Sequence, residues 1–129
     1  MDAKMILNKI EVTPCLLYPT ETIAGIDDKR VKQCYDAYVS GKGQICEVLV
    51  VRYEECLYIY SGHEQVLAAI NFGLEKLDAI EINRKTLRFW ADDKAFVNTL
   101  RDIGITAIYD FETVGGFSYE KYPSYYINA

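Results

Sequence analysis

Apolar and polar residues follow two different periods along this chain, and each change of period marks an element. Residues 6 to 12 (ILNKIEV) read as a short strand closed by Thr13-Pro14. Pro14 and Pro19 then predict an extended, turning path as far as Gly25. From Asp28 the period lengthens: Val31, Cys34, Tyr35, Tyr38 and Val39 recur at spacings of three and four, the buried stripe of a helix. Asp27 or Asp28 caps it, and Gly41 and Gly43 end it. Residues 45 to 53 (ICEVLVVRY) and 56 to 60 (CLYIY) read as two strands joined at Glu54-Glu55. The unbroken apolar run Val48 to Val51 predicts a central strand covered on both faces.

A second helix is predicted from His63 to Phe72, burying Val66, Leu67, Ala69 and Ile70 and stopping at Gly73. LDAIEI (77 to 82) is the next strand, and Thr86 to Trp90 reads as strand or extended chain. KAFVNTLRDIG (94 to 104), capped by Asp92 or Asp93, places Phe96, Val97, Leu100 and Ile103 on one helical face, and Ile105 to Tyr109 is strand-like. The order strand, helix, hairpin, helix, strand predicts an α/β (α+β) fold, a small mixed sheet with packed helices.

At 129 residues the chain fits one domain, 1–129, with enough apolar content for a core of its own. No apolar run reaches membrane length, and Met1-Asp2-Ala3-Lys4 leads straight into structure, so the expected location is cytoplasmic. Cys15, Cys34, Cys46 and Cys56 lack CxxC spacing and read as reduced core or near-core thiols. The net charge of -5 argues against nonspecific grip on nucleic acid, because phosphate neutralisation needs a basic surface. Local basic patches remain at Lys29, Arg30 and Lys32 and at Arg84, Lys85 and Arg88. The acidic balance fits a basic protein partner, including one that itself binds nucleic acid. Tyr119, Tyr122, Tyr125 and Tyr126 with Phe117 make an aromatic tail that serves either as cover for the domain or as a partner surface.

The strand-to-helix joint Ser61-Gly62-His63-Glu64-Gln65 is the candidate site. One reading is structural: S-x-x-E is the spacing of a capping box, with Ser61 accepting from a first-turn N–H, Glu64 reaching back, and His63 exposed. Loss of the Ser61 hydroxyl would then cost about 1 kcal/mol. The other is functional: a glycine at a strand end, followed at once by a helix, offers free N–H groups to phosphate, with His63 and Gln65 as the side chains at hand.

The stretch from Gln44 to Ile82, with YIYSGHEQVLAAINFGLEKLDAIEI at its centre, resembles the ParB/sulfiredoxin-like superfamily. Val12-Thr13-Pro14, the helix bearing Val31, Gly41 and Gln44 also follow its order of elements, so the resemblance spans about residues 6–82, with 83–129 as an extension. It implies that the glycine-led turn is a phosphate site for a nucleotide, with CTP or ATP and Mg as the cofactors to test. Gly62 matches the family glycine, His63 the polar residue after it, and Ala68-Ala69 and Gly73 the helix packing and exit. Gln65 stands where the families have arginine and Glu64 adds a carboxylate, which implies weak nucleotide binding. Restoring arginine at position 65 is accordingly expected to raise nucleotide affinity about tenfold. The reaction of sulfiredoxins needs a cysteine beside the turn histidine, and no cysteine adjoins His63.

The resemblance thus implies a non-catalytic or weakly active protein that works by binding in a mobile-element or DNA-maintenance setting. Alternatives are an acidic, phage-type interaction protein that occupies a nucleic-acid-binding partner, and a CTPase, kinase or nuclease of the same fold; a homo-oligomer also stays open. No catalytic residue is assigned. A carboxylate metal site would have to come from Asp27, Asp28, Glu47 and Glu64, and Asp27 and Asp28 are already explained as caps.

Overall fold

The computed structural model describes residues 5–20, 26–88 and 90–103. Strands β1 (Ile6–Val12), β2 (Leu49–Tyr53), β3 (Cys56–Ser61) and β4 (Leu77–Ile82) form one sheet in the order β1-β4-β2-β3. The β1/β4 and β2/β3 pairs are antiparallel, and β4/β2 is parallel. Helices α1 (Asp28–Val39), α2 (His63–Phe72) and α3 (Asp93–Ile103) complete the mixed α/β architecture expected from the element order.

The apolar run of β2 acts as predicted, because alternate residues serve different cores. Val50 joins Val12, Ile59, Leu77 and Ala79 beneath α1 and α2, where Val31, Cys34, Val66, Leu67 and Ile70 meet them. Val51 faces the opposite way, toward Ile82, Leu87 and Phe96. Phe96, fully buried on α3, lies against the rings of Tyr53 (4.9 Å), Tyr58 (5.2 Å) and Trp90 (5.3 Å), an aromatic cluster that fastens α3 to the sheet.

Local sequence signals set most element ends. Asp27 caps α1, its Oδ1 accepting from the N–H groups of Lys29 (3.0 Å) and Arg30 (3.3 Å). Asp92 accepts from the Ala95 N–H at the start of α3. Gly73 closes α2 in the left-handed conformation, donating to Ala69 and Ile70. The hairpin at Glu54-Glu55 places both residues at positive φ (49° and 69°), the geometry that asparagine and glycine occupy more easily.

Three expectations need correction. The strand predicted from Ile45 starts only at Leu49, because the N–H groups of Ile45 and Cys46 are taken by a side chain rather than by a neighbouring strand. The described residues of Thr86 to Trp90 form no strand, though Leu87 is extended as the other option had it: Arg84–Thr86 is a 3₁₀ turn, started by the Asn83 side chain accepting from the Lys85 N–H. Val39, expected in the buried stripe of α1, is 62% exposed, and Ala37 takes its place in the core. The predicted strand at Ile105 to Tyr109 and the aromatic tail lie outside the described residues.

Candidate functional site

The joint between β3 and α2 is built around Gly62, the N-cap of the helix, at φ 98° and ψ 24°. A Cβ there would lie 2.6 Å from the Glu47 carbonyl oxygen and 3.0 Å from the Val48 Cα, so the turn is pressed onto the backbone leading into β2. Glycine is needed for its conformation and for its lack of a side chain. Ser61 is the exposed last residue of β3. The expected Ser61–Glu64 capping box is absent, since the chain turns at Gly62 and the helix has no side-chain cap.

The three side chains after the glycine each bond another part of the chain, His63 and Gln65 in the interior and the half-buried Glu64 at the surface. His63, expected to be exposed, is buried, and its Nε2 accepts the Thr20 N–H at 3.0 Å. The reason is tertiary: Leu17 to Thr20 runs beside β3, with the Tyr18 N–H donating to Leu57 and the Ile59 N–H to Tyr18, and Thr20 Oγ1 also donates to the Ile59 carbonyl. Glu64 Oε2 accepts the N–H of Asp27 at 3.2 Å, so it performs the return half of a capping box for α1 instead of for its own helix. Gln65 is fully buried. Its Oε1 accepts from the N–H groups of Cys46 (2.9 Å) and Ile45 (3.3 Å), and its Nε2 donates to the Tyr38 hydroxyl (2.6 Å).

Burial alone pushes the pKa of His63 down to about 4, so the ring is neutral at physiological pH and brings no positive charge to an anion. The unfolded chain takes up this proton as pH falls below 6.5, whereas the folded chain resists until about 4. Stability from His63 is therefore complete above pH 6.5, declines across pH 6.5 to 4, and is level below that. Urea titrations across this window should show wild type losing about 3 kcal/mol more than His63→Gln, which takes up no proton.

The N–H groups of His63, Glu64 and Gln65 have no acceptor within the helix, where hydrogen bonding begins with the Val66 N–H on the Gly62 carbonyl. What the joint can offer an anion is therefore backbone. The sequence reading missed the neighbourhood on the other side of Gln65: Cys46, Cys34, Tyr38 and Arg30 converge there, and no spacing rule announces it. Among the described residues no three His, Cys, Asp or Glu side chains gather as a metal site requires, and no helix is long and apolar enough to cross a membrane.

No family model matches the chain, and comparison with curated proteins gives no match. Among solved structures, the crystal structure of sulfiredoxin from Arabidopsis thaliana superposes with a TM-score of 0.52 at 18% identity, covering 67% of this chain and 99% of that one. The fold is ParB/sulfiredoxin-like. At that identity the likeness is one of architecture. In this chain a glycine turn opens α2, and the three side chains after it bond other parts of the same chain.

Proposed function

We propose that this chain is a non-catalytic descendant of the nucleotide-binding proteins of its fold, acting through binding, in a mobile-element or DNA-maintenance setting. The observation that carries the reading is that His63 and Gln65 are buried and that His63, Glu64 and Gln65 are each committed to a hydrogen bond with a distant part of the chain. A phosphate at the joint would be held by backbone N–H groups alone, with no guanidinium fork and with a carboxylate beside it. A net charge of -5 favours a basic protein as the partner. Lys32 is paired with Asp36, and Arg84 and Lys85 are both paired with Asp93, which reduces the positive surface left for direct contact with DNA.

Isothermal titration with CTP and with ATP, each with and without Mg, tests the proposal. The expected result is binding no tighter than about 0.1 mM and no turnover. Sub-micromolar binding accompanied by hydrolysis would overturn it.

A further inference from the structure

Cys34 and Cys46 are 12 residues apart in sequence, and their Sγ atoms stand 4.0 Å apart. Their surroundings differ. Cys34 is fully buried on α1, and burial, reinforced by the neighbouring Cys46, pushes its thiol up to about 12. Cys46 is only partly buried, in the irregular stretch before β2, and the Arg30 guanidinium donates to its Sγ at 2.8 Å. The guanidinium is therefore a fixed donor placed against the more accessible of the two sulfurs. One thiol is thus presented to small oxidants beside a cation, and the second waits behind it, protected and protonated.

We propose that Cys46 and Cys34 form a hydroperoxide-reactive dithiol in which Cys46 attacks first and Cys34 then closes a disulfide. In the first step the Cys46 thiolate attacks one peroxide oxygen and the O–O bond breaks. The alkoxide or hydroxide leaves as alcohol or water with a proton from solvent, and Cys46 becomes a sulfenic acid. In the second step the Cys34 sulfur attacks the Cys46 sulfur, the S–S bond forms and the S–O bond breaks, and the hydroxyl departs as water carrying the Cys34 proton. Two thiols lose two electrons and the peroxide gains them; a small-molecule thiol reverses the bond by exchange.

Closing from 4.0 Å to a disulfide length needs an approach of about 2 Å, which the stretch around Cys46 can supply because it belongs to neither helix nor strand. That stretch is tied to Gln65 through the Cys46 N–H, so closure pulls on the first turn of α2. The dithiol chemistry itself does not require a nucleotide at the Gly62 joint.

The test treats the fully reduced protein with hydrogen peroxide, alkylates the remaining thiols and maps the peptides by mass spectrometry. The expected product is a Cys34–Cys46-linked peptide pair with Cys15 and Cys56 still alkylatable. In Cys34→Ala, and in Cys34→Ser as a second variant should alanine unsettle the core, Cys46 should stop at the sulfenic acid and be trapped by dimedone. Arg30→Gln should slow thiol loss about tenfold while leaving the linked product unchanged. The proposal is overturned if, in the wild-type protein, Cys46 stays alkylatable, or if Cys46 oxidises without linking to Cys34.

Discussion

Replacing Gly62 with alanine is expected to lower the unfolding free energy by about 3 kcal/mol or more. Two costs combine at this position. The backbone sits at φ 98°, where an L-residue is strained, and the added Cβ would meet the Glu47 carbonyl oxygen at 2.6 Å and the Val48 Cα at 3.0 Å. Both obstacles are backbone atoms at the entry to β2, which cannot rotate aside, so the turn or the strand must move. Gly73 separates the two costs, because it has a similar φ of 91° with nothing within 4 Å of a Cβ. Gly73→Ala should cost only about 1 kcal/mol, the conformational share. Urea denaturation of both variants gives the comparison, and equal losses would mean that the turn is not pressed against Glu47 and Val48.

Gln65→Leu is expected to cost about 3 kcal/mol, although leucine is close to glutamine in volume and is normally welcome in a core. The loss is polar: the N–H groups of Ile45 and Cys46 and the Tyr38 hydroxyl would all lose a partner. The irregular stretch before β2 would be freed with them, and hydrogen exchange at the Ile45 and Cys46 amides should quicken in the variant. Gln65→Arg, which the family resemblance recommends as the route to tighter nucleotide binding, should also destabilise, because the position buries a guanidinium with no carboxylate in hydrogen-bond contact among the described groups. A Gln65→Arg variant as stable as wild type, with a measurable gain for CTP or ATP, would show that the side chain can leave the core for the joint.

Periodicity and caps settled α1 and α2, and the stop of α2, from the sequence itself. The three-and-four spacing of Val31, Cys34 and Tyr38, the cap at Asp27 and the left-handed exit at Gly73 are properties of residues within a few positions of one another, and such signals survive in a linear string. The two-sided burial of β2 was also legible, because an unbroken apolar run cannot leave either face to water. Composition and motif order suggested the fold. What the first turn of α2 does with its side chains was not legible. His63 is held by Thr20, 43 residues away; Glu64 by Asp27, 37 away; and Gln65 by Ile45 and Cys46, 20 and 19 away. A polar residue beside an apolar stripe reads as solvent-facing until another segment brings it an unpaired N–H, and only the packed structure determines which segment arrives. The same holds for the two cysteines, whose approach depends on α1 and the entry to β2 meeting over Gln65.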